Sequence, residues 1–113
     1  MATRPLTHDG ARAETLDRIV SALQAWGPVR VILFGSHARG DARPDSDLDI
    51  LVVLPDGNAV TRSTVIDMRV AIGAVPLDYD LLVTSQVEFE WRQNYVGTIE
   101  YPAAHEGIEL HAA

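Results

Sequence analysis

Cysteine is absent from the 113 residues, which excludes a disulfide scaffold and a thiolate metal site. Lysine is absent too, since all nine basic residues are arginine. Schiff-base chemistry and a P-loop lysine are therefore excluded. No apolar run approaches the roughly 20 residues that cross a bilayer, so no membrane association is expected. Residues 1–10 carry Arg4 but no apolar segment behind it. A secretory signal is not expected there, and the cytoplasm is the default compartment. Positive charge is scarce: nine basic residues face sixteen acidic ones, for a net charge of −7. A long nucleic acid needs a basic face, so direct binding of one is disfavoured. A phosphorylated ligand remains accessible if divalent cations sit between carboxylate and phosphate.

What is present reads as one domain over residues 1–113, with 1–10 as a loose lead-in. Apolar residues make up 47% and charged residues 22%, enough of each for a packed core with a solvated surface. Leu16, Ile19, Val20 and Leu23 follow helical spacing, which predicts a helix over 11–26 with Asp9 or Thr15 as its cap. Gly27-Pro28 stops it. Residues 29–34 (VRVILF), 47–54 and 77–83 predict three strands. A single helical turn is expected over 36–40, a loop over 41–46 and a turn over 55–58. Helices are expected over 60–72 and 87–95, with one more before Gly107. The expected fold class is α/β: a small mixed sheet flanked by helices.

The chemistry concentrates between Phe34 and Val53. Gly35 ends the first strand where a backbone can approach a ligand closely. Ser36 adds a hydroxyl, and the N–H groups opening the next turn suit an anion. A glycine-serine pair after a strand is otherwise a plain tight turn. Asp47 and Asp49 stand two apart at a strand start, so their side chains share a face. Two carboxylates on a buried strand repel and lose solvation, and a divalent cation between them resolves both costs. The plainer alternative is a solvated strand end. Asp78 and Asp80 form a second such pair on the third strand, and either could join the first. Arg39 and Arg43 are candidates for phosphate, which guanidinium binds bidentately. His37 lies inside the turn and could touch phosphate as well. His8, His105 and His111 lack zinc-ligand spacing and are expected to be exposed. Ser63 and Thr64 are better suited to capping a helix. Phe89, Trp91 and Tyr95 are core or interface residues. A calcium loop starting at Asp45 fails, because Ile50 stands where glycine is required and Asp56 where glutamate is. A P-loop over Gly35–Gly40 fails at Asp41, which replaces its lysine.

The run FGSHARGDARPDSDLDILV resembles the signature of the minimal nucleotidyltransferases of the DNA polymerase beta superfamily. That signature is Gly-Ser, ten residues, then Asp-x-Asp, met here by Gly35-Ser36 and Asp47-Leu48-Asp49. The resemblance runs from Leu16 to Glu90 and implies the polymerase beta-like nucleotidyltransferase fold. It implies that Gly35 and Ser36 hold the nucleotide triphosphate and that Asp47 and Asp49 bind Mg²⁺; Arg39, on its guanidinium chemistry, is expected to hold phosphate with them. A third acid on a later strand completes such sites. The family pattern Asp-x-x-x-x-Thr-Pro-Glu-Glu-Phe, laid on Asp80 to Ser85 and Glu88-Phe89, selects Asp80 over Asp78. Small members of this kind are commonly paired with a HEPN-domain toxin, act as its antitoxin, and in some cases transfer AMP from ATP to a toxin tyrosine. The implied function is an Mg²⁺-dependent protein adenylyltransferase. Its rivals are a non-catalytic antitoxin acting by occlusion and a small-molecule nucleotidyltransferase. The latter usually carries an added substrate domain. Homo-oligomerisation stays open.

Overall fold

The computed structural model describes residues 8–58 and 60–113. Its elements are α1 (His8–Leu23), a 3₁₀ turn (Gln24–Trp26), β1 (Arg30–Phe34), α2 (Ser36–Arg39), β2 (Leu48–Leu54), α3 (Arg62–Ile72), β3 (Tyr79–Ser85), α4 (Gln86–Arg92), α5 (Glu100–Glu106) and β4 (Ile108–Ala112). The strands form one sheet in the order β3-β2-β1-β4. β1 runs antiparallel to β2 and β4, and β2 runs parallel to β3, so the sheet is mixed as expected. Residues 1–7 of the expected lead-in lie outside the described residues, and 8–10 already belong to α1.

The central strands read as near-continuous apolar runs because both faces of the sheet are covered. Leu48, Ile50, Val52 and Leu54 of β2 pack with Val31, Leu33 and Leu81 against Ile19 and Leu23 of α1 and Met68 and Ile72 of α3. The alternate residues Leu51 and Val53 pack with Ile32 and Phe34 against Phe89 of α4 and Ala103 of α5. Each fully buried aliphatic side chain contributes about 1.5–3 kcal/mol. Asp49 has the parity of Leu51 and Val53, and so points to the α4/α5 side of the sheet.

The helix stops are local. Gly27 ends the first helical segment in the left-handed conformation (φ 58°). Thr61 caps α3 by accepting from Thr64 N, and the Thr64 side chain returns the contact. Ser85 caps α4 through Glu88 N. Thr15 is not a cap. It lies buried in mid-helix, where its hydroxyl donates to Ala11 O (2.7 Å) and accepts from Leu77 N (3.1 Å). Asp9 sits in the first turn and pairs with Arg12. The Thr15–Leu77 bond also explains why β3 begins two residues later than expected: the Leu77 N–H is committed to α1, not to the ladder.

β4 is absent from the expected elements. Its sequence, IELHA, is a weak pattern on an edge strand whose residues are all exposed or half-buried. Pairing with β1 makes it a strand, helped by the Arg30–Glu109 ion pair. Phe89 belongs to the core, whereas Trp91 and Tyr95 are exposed and meet edge to face with centroids 5.8 Å apart. Among the described residues no helix is long and apolar enough to cross a membrane. Replacing Thr15 by Val would leave the Leu77 N–H without its acceptor. The variant should lose about 1–2 kcal/mol in urea unfolding, and an unchanged midpoint would show that the α1–β3 tie contributes nothing.

Candidate functional site

β1 delivers the chain to Gly35, which adopts φ 76°, ψ −154°. That backbone disfavours any other residue. Space does so too, because a methyl group on Gly35 would overlap Asp49 Oδ2. The turn then winds into α2. Gly35 O accepts from Ala38 N and Arg39 N (3.1 and 3.0 Å), and Ser36 O accepts from Gly40 N and Asp41 N (3.0 and 3.1 Å). The Ser36 hydroxyl thus heads a fixed turn immediately beside Asp49.

The sheet registers bring the acids in. Asp49 faces Phe34 across the antiparallel β1–β2 pair and Asp80 across the parallel β2–β3 pair. Asp47 lies one residue before β2 and is exposed, as is Asp80, while Asp49 is half-buried. Burial raises the Asp49 pKa above the ordinary aspartate value; the negative charges of Asp80 and then Asp47 add to the rise. His37 and Arg39 pull it back. Asp78 precedes β3. Its carbonyl accepts from Leu48 N (3.0 Å), and it is exposed. Asp47, Asp78 and Asp80 line an open cleft of about 450 Å³ together with Arg69 and Tyr79. Arg69 lies over the Tyr79 ring, 4.9 Å from its centroid. Neither Arg69 nor Tyr79 belongs to a recognisable motif; only the packing of α3 beside β3 brings them here. A separate cavity between α1 and α3 shares no residue with this site.

The donor chemistry fits a hard divalent cation: carboxylates of Asp47 and Asp80 press their charge on a partly desolvated Asp49. Among the described residues no three acidic or imidazole groups already form a closed ligand set. The fit therefore lies in charge and donor type rather than in a finished coordination shell.

The basic candidates divide. Arg39 is exposed and reaches Asp41 (3.3 Å) and Glu106 (3.4 Å). Arg43 is exposed, and its backbone N donates to Ser46 Oγ (2.9 Å). His37 turns inward instead of toward solvent: it is 4% exposed, with Nε2 3.0 Å from Ser46 O. His105 is exposed and stacks on Tyr101 (4.0 Å), and His111 lies half-buried in β4, so the exposure expected of it is only partial. The His8 side chain lies outside the described residues.

The family described as "Nucleotidyltransferase domain" matches residues 16–104. Two solved structures share the fold. One is a crystal structure of a candidate nucleotidyltransferase from Sulfolobus solfataricus, 20% identical, covering 96% of this chain and 89% of its own, with a TM-score of 0.55. The other is a crystal structure of a toxin–antitoxin with AMP-PNP, 20% identical, covering 87% of this chain and 73% of its own, with a TM-score of 0.56. Curated proteins give no significant match.

Two predictions follow from the Gly35–Asp49 contact. Gly35→Ala should cost about 1–3 kcal/mol through backbone strain, plus the overlap with Asp49, and thermal denaturation would read it. Asp49→Asn should raise the stability of the metal-free protein at neutral pH. The folded chain holds the Asp49 proton more tightly than the unfolded chain, so its ionisation costs stability as pH rises through the raised pKa. The gain should fade as pH falls through the ordinary carboxylate range. Urea midpoints at pH 7 and pH 4 decide the matter, and a loss of stability at pH 7 would refute the assignment of Asp49 as a strained carboxylate.

Proposed function

The chain belongs to the nucleotidyltransferase domain family, and we propose that it transfers AMP from ATP to a tyrosine hydroxyl on a HEPN-type toxin, as that toxin's antitoxin. The observation that carries this reading is the position of Asp49. Its carboxylate lies against the Gly35–Ser36 turn on one side and beside Asp80 and Asp47 on the other. A phosphate held by the turn would therefore lie next to the acids. The solved toxin–antitoxin with AMP-PNP supports both a nucleotide and a protein partner.

In this mechanism Gly35 admits the triphosphate close to the backbone, and the Ser36 hydroxyl donates to it. Arg39, by exchanging its exposed contacts with Asp41 and Glu106, can turn its guanidinium to phosphate. Asp47, Asp49 and Asp80 would hold Mg²⁺, which supplies charge neutralisation at the α-phosphate and a lower pKa for the attacking hydroxyl. Asp80 is the third acid in this reading rather than Asp78, because it is the register partner of Asp49 and its charge acts on Asp49 more strongly than any other. It would also take the proton from the acceptor oxygen. That oxygen forms its bond to the α-phosphorus as pyrophosphate leaves on the opposite side.

Neutralisation by occlusion alone is the second reading. It is favoured by exposed apolar residues on and after α4, with Val87, Trp91, Tyr95 and Val96 each at least half exposed. Such a patch suits contact with a protein. Label transfer separates the two. The chain, Mg²⁺, α-labelled ATP and a HEPN-type partner should give labelled partner, and Asp49→Ala should reduce the label by a factor of about 10²–10³, as expected for loss of a group acting on the transition state. Full labelling by Asp49→Ala would sink the mechanism. A stable complex without label would move the function to occlusion.

A further inference from the structure

The loop between α2 and β2 presents Asp47, yet it has no regular structure from Asp41 to Asp47. Ordering such a segment costs about 1–2 kcal/mol of backbone entropy per residue. Something must hold its last residues if Asp47 is to meet Asp49 reproducibly. Three hydrogen bonds do so, and all three converge on Ser46. Ser46 N donates to Arg43 O (3.0 Å), Arg43 N donates to Ser46 Oγ (2.9 Å), and His37 Nε2 lies 3.0 Å from Ser46 O. The first two tie the loop only to itself. The third ties it to α2, and through α2 to the Gly35–Ser36 turn.

The chemistry sets the direction of that third bond. A carbonyl oxygen can only accept, so Nε2 carries a hydrogen and donates. His37 is buried at 4% exposure, so its ring has little room to leave this position. It lies nine positions before Ser46 in the chain, and it is also one of the groups whose field reaches Asp49. The imidazole therefore stands between the two halves of the site, with the phosphate turn behind it and the Asp47 loop in front.

We infer that His37 is a positioning residue: its Nε2–H clamps the Ser46 carbonyl and thereby sets Asp47 against Asp49. This assigns to the histidine of the Gly-Ser turn an inward, architectural contact instead of contact with phosphate. The metal readout of the test rests on the acid-site reading above; the exchange readout does not.

The experiment compares the full chain with His37→Phe, which keeps a ring but has no donor, and His37→Gln, whose amide nitrogen can occupy the place of Nε2. Mn²⁺ binding, followed by the paramagnetic resonance of the free ion, should weaken about five- to tenfold in the Phe variant, the worth of one net hydrogen bond. The Gln variant should recover most of it. Amide exchange at Ser46, Asp47 and Leu48 should quicken in the Phe variant and slow again in the Gln variant, with circular dichroism unchanged in both. If the Phe variant does not fold, His37→Asn takes its place, because its shorter amide falls short of the carbonyl. Equal Mn²⁺ affinity and equal exchange in wild type and the donor-less variant would overturn the inference. A wild type that binds no Mn²⁺ would instead count against the acid-site reading, and the exchange data would still decide the role of His37.

Discussion

The half-buried carboxylate of Asp49 is the constraint around which the site is arranged. It is flanked by Gly35, where an added Cβ would overlap its Oδ2, and by Asp80 and Asp47, whose charges oppose its ionisation. A folding chain gains nothing from that arrangement, since burial and like charge both act against it. The surrounding structure must therefore over-determine it. Two ladders do so. The antiparallel pairing of β1 with β2 sets Phe34 opposite Asp49, and the parallel pairing of β2 with β3 sets Asp80 on its other side. A slip of one residue in either ladder would expose core residues such as Leu51 and bury polar ones. The cores on both sheet faces thus hold the acids together against their mutual repulsion.

This explains which features were legible in the sequence. The mostly apolar runs VRVILF and LDILVVL, each interrupted by a single charged residue, signal strands buried on both faces, and burial is what fixes register. Gly35 and the Asp47/Asp49 spacing are legible because φ and strand periodicity act over a few residues. The structure places Gly35 against Asp49, and the β2–β3 register sets Asp80 opposite Asp49. The boundary of β3 was harder to read. Leu77 looks like a strand residue by composition, but its N–H bonds to Thr15, sixty-two residues away. No local pattern encodes such a partner.

The same limit applies to the basic residues. Arg39 and His37 sit two apart in one short turn, and composition treats both as phosphate donors. The fold sends them to opposite environments. Arg39 reaches out to Glu106, sixty-seven residues along the chain, while His37 turns inward to Ser46. β4, whose backbone pairs with β1 in spite of its polar sequence, also lies beyond local reading. In each case the deciding partner is supplied by tertiary packing, which overrides local preference.

Charge then orders the steps that the site can perform. A chain of net charge −7 repels a triphosphate at long range, and the acids of the cleft add to that field. In the proposed reaction, divalent cations in the cleft would remove the short-range part of this repulsion. The guanidinium groups complete the balance from two directions. Arg39 stands on α2, after the Gly35–Ser36 turn, and Arg69 stacks on Tyr79 in the cleft wall. Both are exposed and free of deep desolvation, so each can change partner at small cost. The rigid parts of this site are therefore its carboxylates, held by the sheet, and the adaptable parts are its cations. That division suits the proposed transfer, in which negative charge would move from the α-phosphate to a departing pyrophosphate while the carboxylates stay in place.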